Sequence, residues 1–213
     1  MKALPIPLCG AVLLCAALTS CGRGDASGSA AKNPNVPRSL PQNYAESYTA
    51  AFCAQLAGRQ LSAEIASYYQ GELTANVTFE VSGDQVHVRT EYQDSGQIAE
   101  VCFTADGCYL MRDGERSLLT SENRYSAQSD PDGNALCGYF FNTDLSPAQM
   151  QFVSAQEADG RITERFANPD SGGDMTFVYD SETGALISDS SGNSEQRFTA
   201  IQQTTGSIAL PPG

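Results

Sequence analysis

From Gln60 to Ile201 apolar and polar side chains alternate in short runs separated by Gly- and Asp-rich turns. This period of two limits the fold more than any other feature, because successive strand residues face opposite sides of a sheet. Leu73, Ala75, Val77, Phe79 and Val81 share one side of a run, against Glu72, Thr74, Asn76, Thr78 and Glu80. Ser82-Gly83-Asp84 turns the chain into Val86, Val88 and Tyr92, opposed by His87, Arg89 and Glu91. Ala99, Val101 and Phe103 follow, then Cys108–Arg112 after Ala105-Asp106-Gly107, then Ser117–Thr120 after Asp113-Gly114. The pattern breaks over 121–150 and resumes at Phe152–Gln156, Arg161–Phe166, Met175–Tyr179, Ala185–Ser188 and Arg197–Ile201. Such runs, joined by such turns, predict an antiparallel meander of about nine to ten strands with one dry face and one wet face.

A helix precedes the meander. Over Asn43–Ala57 the residues Tyr44, Tyr48, Phe52 and Leu56 recur every four positions and form one apolar stripe. Asn43 and Glu46 have the spacing of a capping box, and Gly58 supplies a stop. Within the break, 121–133 reads as loop, and Asp144-Leu145-Ser146-Pro147 opens a short second helix. The expected class is α+β: a curved antiparallel half-barrel with an N-terminal amphipathic helix and a short second helix on its concave face. Ten strands span about 45 Å, whereas a fifteen-residue helix is about 22 Å long. The helix cannot cover the dry face alone, so the sheet must curl and segment 134–150 must help to fill it. Whatever stays uncovered is an apolar hollow; complete filling is the alternative.

The N-terminus reads as an address. Lys2, an apolar stretch from Ala3 to Leu18 and small residues after it make an export signal, too short for a typical spanning helix. Leu18-Thr19-Ser20-Cys21 matches the bacterial lipobox, which places a signal peptide at 1–20 and a diacylglycerol on Cys21. Two or three fatty chains of the palmitate type suffice for stable anchoring. Residues 21–42, rich in Gly, Ser and Pro, form a tether with a root-mean-square reach on the order of 25 Å. The domain is expected at 43–203, followed by a flexible tail over 204–213. Arg23-Gly24-Asp25 is read as a chance tripeptide beside the lipid. The expected location is extracytoplasmic, on the bacterial cell membrane.

Charge narrows the partners. The formal net charge of −13 and a pI near 4.3 argue against nucleic acid and against electrostatic docking on anionic lipid surfaces. Of the seven cysteines, Cys9 and Cys15 leave with the signal and Cys21 takes lipid. Cys53, Cys102, Cys108 and Cys137 remain, which in an exported domain suggests two disulfides. Cys102 and Cys108 flank one hairpin; their direct pairing needs a three-residue loop with a bulge at Gly107, because a two-residue turn would put them on opposite faces. A bond from Cys53 would then pin the helix to the sheet or to segment 134–150. No C-x-x-C is present, so no metal site is expected. His87, the only histidine, reads as a solvated strand residue. Asp130-Pro131-Asp132-Gly133-Asn134 lacks the terminal glutamate of a calcium loop and reads as a turn. No nucleophile elbow, zinc-protease motif or phosphate loop occurs, so no enzyme activity and no cofactor are expected.

The runs Val77-Thr78-Phe79-Glu80-Val81-Ser82-Gly83-Asp84, Ala105-Asp106-Gly107-Cys108-Tyr109-Leu110 and Phe177-Val178-Tyr179-Asp180-Ser181-Glu182-Thr183-Gly184 carry a family resemblance. With the anchor, tether and single helix, the layout over 43–202 resembles the LolA-like superfamily of envelope lipoproteins and lipoprotein carriers. The resemblance implies a half-barrel whose concave face holds acyl chains, or a sensor module that responds to lipidated proteins. The soluble carriers of that superfamily lack a lipid anchor, so a shuttling role does not carry over. The leading expectation is a non-enzymatic, monomeric, membrane-anchored lipoprotein binding an acyl chain, a lipoprotein or another hydrophobic ligand. Leu73, Val77, Phe79, Val101, Phe103 and Phe177 are the candidates to face that ligand. The alternative is a protein-interaction or sensor module with a filled core.

Overall fold

The computed structural model describes residues 39–112, 115–170, 172–204 and 206–208. The signal peptide, Cys21, Arg23-Gly24-Asp25, most of the tether, the Asp113-Gly114 turn and the end of the tail lie outside these residues.

Eleven antiparallel strands form one open sheet: β1 Gln60–Tyr69, β2 Glu72–Ser82, β3 Gln85–Tyr92, β4 Ile98–Thr104, β5 Gly107–Arg112, β6 Glu115–Thr120, β7 Gln151–Ala158, β8 Arg161–Ala167, β9 Asp174–Asp180, β10 Leu186–Ser191 and β11 Ser194–Gln202. Their order is β6-β5-β4-β3-β2-β1-β11-β10-β9-β8-β7. The chain lays down one wing outward from the centre, crosses through segment 121–150, and builds the other wing from its edge back to β1. This open sheet is consistent with the expected half-barrel, with one strand more than the sequence predicted. β1, read in the sequence only as far as Ile65, runs ten residues to Tyr69 before a Gln70-Gly71 turn with both φ angles positive. Such a turn matches the twist of a hairpin.

Helix α1 spans Tyr48–Ala57, five residues shorter at its start than expected. Ser47 is the cap: its hydroxyl accepts the Ala50 N–H at 2.9 Å. Asn43 caps a separate 3-10 turn, Tyr44–Glu46, instead. The first two amides of α1 are satisfied from the sheet, since Glu164 on β8 accepts Tyr48 N–H at 2.7 Å and Thr49 N–H at 3.0 Å. A tertiary cap of this kind leaves no local sequence signal.

Helix α2 spans Asn134–Phe140, and the Asp144–Pro147 stretch leads into a 3-10 turn at Pro147–Gln149 with a Ser146/Gln149 capping box. The second helix therefore starts ten residues earlier than Asp144. Its cap is Asp130, whose carboxylate accepts Ala135 N–H at 3.0 Å and Leu136 N–H at 2.9 Å. The Asp130–Asn134 stretch is thus the turn the sequence suggested. Gly133 sits there at φ +69, where a Cβ would come within 2.6 Å of Ala57 Cβ, so only glycine lets the two helices approach. Buried Arg59 pins the preceding loop by donating to the carbonyls of Tyr125, Ser126 and Asp130.

Both helices lie on one face of the sheet, called here the inner face. Phe140 packs on Phe79 of β2 and Phe198 of β11, and Phe141 packs on Phe177 of β9, with ring centroids 4.8–5.4 Å apart. These aromatic contacts, with Leu56, Leu61, Val81 and Leu136 fully buried, make the core.

Candidate functional site: the inner face and its open trough

Register places the inner-face side chains in rows. The upper row on the N-terminal wing is Leu61, Val81, Val86, Phe103 and Cys108, all buried, with Tyr125 and Tyr139 packed on Phe103. The next row is Ala63, Phe79, Val88, Val101, Leu110 and Ser117. Here burial fades outward: Ala63 and Phe79 are buried, Val88, Val101 and Leu110 are half-buried, and Ser117 is exposed. A third row adds half-buried Val77 and Thr90, buried Ala99 and exposed Arg112. The cover over this wing therefore reaches β5 along the upper row and thins beyond β2 in the rows below, where half-buried Val77, Val88, Val101 and Leu110 form a shallow apolar trough.

The six candidate ligand-facing residues all lie on the inner face but divide between two settings. Phe79, Phe103 and Phe177 are covered by aromatic side chains: Phe79 by Phe140 and Tyr139, Phe103 by Tyr125 and Tyr139, Phe177 by Phe141 and Phe166. Val77 and Val101 are half-buried in the trough, and Leu73, 39% exposed, marks its lower end. The alternation over 108–112 could have added Leu110. Nothing local to the sequence marks Tyr125, Tyr139 or Arg124, which reach this wing from segment 121–141.

Two clefts flank the helices. One, about 600 Å³, lies between α2 and the loop after β6, against Arg124, Tyr125, Tyr139 and Asn142. Arg124 donates to the Tyr125 hydroxyl and lies 4.8 Å above the Tyr125 ring. Tyr125 in turn stacks on Tyr139 at 4.7 Å and meets Phe103 edge-on at 4.6 Å. The other cleft, about 550 Å³, separates α1 from β10–β11 and is lined by Phe52, Leu186, Phe198 and Ile201 among others. Both volumes fall within the range of small-molecule sites.

Two buried carboxyls face inward on the C-terminal wing. Glu164 is pushed up by burial and held back by its bonds to Thr49 and Tyr48. Asp189 on β10, 4% exposed, is pushed well up by burial, with Glu195 adding to the shift. Its Oδ2 and the Oε1 of Gln196, its register partner on β11, are both buried without a hydrogen-bond partner.

The outer face holds the histidine. Against expectation His87 is buried, at 7% exposure, because Glu80 and Glu100 on the neighbouring strands close over it. Nδ1 lies 3.0 Å from Glu80 Oε2 and Nε2 2.8 Å from Glu100 Oε2. With both nitrogens held by carboxylates, the ring cannot serve as a base for Cys102, its register partner on β4. Burial, reinforced by Glu100, also pushes the Cys102 thiol up to about 11. This arrangement ties three strands together through one ring and does not activate a nucleophile.

The expected pair of disulfides is not present: Cys53, Cys102, Cys108 and Cys137 are free thiols. Phe103 pairs with Cys108 and Cys102 with Tyr109, so a two-residue Ala105-Asp106 turn sends Cys102 outward and Cys108 inward. Cys53 on α1 and Cys137 on α2 do meet. Their hydrogen bond and burial push the Cys137 thiol well up. Among the described residues no group of three or more His, Cys, Asp or Glu side chains could hold a metal ion. No helix among them is long and apolar enough to cross a membrane.

No protein-family model and no curated protein matches the chain. Among solved structures it is similar to MucB, with 15% identity and a TM-score of 0.40 over 78% of this chain and 62% of that one. LprF from Mycobacterium bovis matches with 9% identity and a TM-score of 0.38 over 78% of this chain and 96% of that one. PNGF-II matches with 7% identity and a TM-score of 0.32 over 70% of this chain but only 29% of its own. The chain thus spans under two thirds of both MucB and PNGF-II. Similarities of this size assign neither family nor activity, and the functional argument rests on the geometry of the inner face.

Proposed function

We propose that this protein is an extracytoplasmic lipoprotein, anchored through lipidated Cys21, whose inner sheet face binds the acyl chain of a hydrophobic ligand without chemical turnover. The observation that carries the reading is the half-open apolar row Val88, Val101 and Leu110, with Val77 beside it, beyond the edge of the helix layer. A sheet face this apolar is ordinarily covered, and uncovered apolar surface of this kind marks a binding site. The layout also agrees with the LolA-like resemblance read from the sequence. A second reading, a protein-interaction module, draws support from edge strand β6, where Leu118 and Leu119 are 58% and 56% exposed. An open apolar edge of that kind invites strand pairing with a partner.

Native mass spectrometry of the exported protein, followed by denaturing intact mass, separates the two. A discrete lipid-sized adduct, lost on denaturation, is the expected result. A bare mass after exposure to envelope lipids, together with a protein adduct that depends on Leu118 and Leu119, would favour the interaction module.

A further inference from the structure

The 600 Å³ cleft between α2 and the loop after β6 is chemically unlike the trough. Asn134, at the start of α2, accepts the hydroxyl of buried Ser146 through Oδ1 at 3.1 Å. Gln149 accepts the Ser146 N–H through Oε1 at 3.0 Å. With both amide oxygens engaged, the two NH₂ groups are left as unpaired donors on the cleft wall. Beyond α2 the chain closes through Thr143 N–H on the Gly138 carbonyl at 2.8 Å, with Asn142 in the left-handed region at φ +53. This is an ordinary helix stop, and it sets the exposed Asn142 amide against the same cleft. Among the described residues neither that amide nor the exposed Asp144 carboxylate has a hydrogen bond or an ion pair. Arg124 donates to the Tyr125 hydroxyl alone, and half-buried Tyr139 adds ring surface. Asp130 also lines the cleft, but its carboxylate caps α2 and lies 3.8 Å from Arg59.

The wall therefore selects for neither sign of charge: with Asp130 matched by Arg59, one guanidinium and one carboxylate remain. It is too polar for an acyl chain, which would leave its donors and acceptors buried and unpaired. The complementary ligand is compact and neutral, with donors and acceptors on all sides. A saccharide has this form. Each hydroxyl donates and accepts, neighbouring hydroxyls match the two-pronged ends of amide, carboxylate and guanidinium groups, and the C–H face of the ring can rest on a tyrosine. A peptide fits less well, since it is read through a free sheet edge or apolar side-chain pockets. We infer that this cleft is a saccharide-binding site, separate from the trough, which holds a neutral sugar through Arg124, Asn142 and Asp144.

Titration calorimetry of the exported protein with maltotriose, triacetylchitotriose and fucosyllactose tests this across hexose, N-acetylhexosamine and deoxyhexose rings. At least one is expected to bind with a Kd below about 1 mM. Asn142→Gly deletes the amide where the backbone conformation suits glycine, and Asp144→Ala deletes an exposed carboxylate. Each should weaken that binding at least about fivefold, while Val153→Ala on the far edge strand should leave it unchanged. Because the ligand is neutral, about 0.5 M salt should alter the affinity less than twofold. The bound sugar should also leave in place the neutral fluorophore N-phenyl-1-naphthylamine, whose displacement by amphiphiles reports on the trough. Absence of binding by all three sugars at about 10 mM overturns the inference, as does binding that survives both variants. Tighter binding of inorganic phosphate, spermidine or a blocked tripeptide than of every sugar overturns it in favour of a charged ligand or a peptide. Fluorophore uptake without sugar binding removes this site and leaves the trough reading standing.

Discussion

Asp189 carries a buried oxygen, Oδ2, without a hydrogen-bond partner, and the buried Oε1 of its register partner Gln196 has none either. Ionising such a group costs free energy that folding must overcome, and burial accordingly pushes its carboxyl well up. Below the unfolded carboxyl range Asp189 is protonated in both states and the penalty vanishes. As pH rises through the raised folded value, the native state either keeps the proton or carries a buried unpaired charge, so stability falls. Asp189→Asn supplies an amide donor to Gln196 at nearly constant volume. It should stabilise the fold by about 1–3 kcal/mol at pH 7, the usual cost of an unsatisfied buried polar group, and by much less near pH 4. Denaturant melts at the two pH values measure this; an equal effect at both would mean that the carboxyl is satisfied in solution. Glu164 is the contrast. It is also buried, but three donors surround it, including the Thr49 hydroxyl, and it serves as the cap of α1.

At the scale of elements, the two short helices owe their positions to contacts from distant strands and loops. Asp130 caps α2, Arg59 ties the loop before it to the start of β1, and Gly133 admits Ala57 of α1. The same packing brings Cys53 against Cys137 and leaves Cys102 and Cys108 on opposite faces of their hairpin. Only the helix pair is placed for oxidation. Reduction of the denatured exported protein is therefore expected to add at most two hydrogens to its intact mass, with peptide mapping locating any bridge at Cys53–Cys137. A gain of four hydrogens would contradict the register of β4 and β5. Such a bridge would close a loop of more than eighty residues and stabilise the fold by about 4.5 kcal/mol in the chain-entropy picture.

For the whole molecule, the decisive feature is the mismatch between an eleven-stranded sheet and two helices of ten and seven residues. The helices fill the middle of the inner face with aromatic side chains and, below the upper row, leave the β3–β5 part of the wing half covered. Leu110→Asp puts a carboxylate in the open trough at a half-buried position. It should weaken amphiphile binding more than about tenfold, since desolvating that charge beside an acyl chain is costly. Leu118→Asp adds the same charge on the outer side of the edge and should change binding less than about twofold. Fluorophore displacement reads both variants. Unaltered binding in Leu110→Asp would move the ligand to the 550 Å³ cleft beside α1.

The alternation by itself determined the meander, the faces and the turns, because a strand's inside and outside are fixed by a local period that no distant contact can change. It placed Leu73, Val77, Phe79, Val101, Phe103 and Phe177 on one face, and that grouping stands. It also indicated that one helix could not cover the sheet. The tertiary structure decided which of those residues are covered and which are open, since that depends on where α2 lands. α2 is placed by Asp130, Arg59 and Gly133, whose partners lie far away in sequence or on another element. Burial of His87 by Glu80 and Glu100, the unpaired Asp189 and the meeting of Cys53 with Cys137 are decisions of the same kind. Each rests on cross-strand register or helix docking, and a one-dimensional pattern carries periodicity but not the identity of the neighbour across the gap.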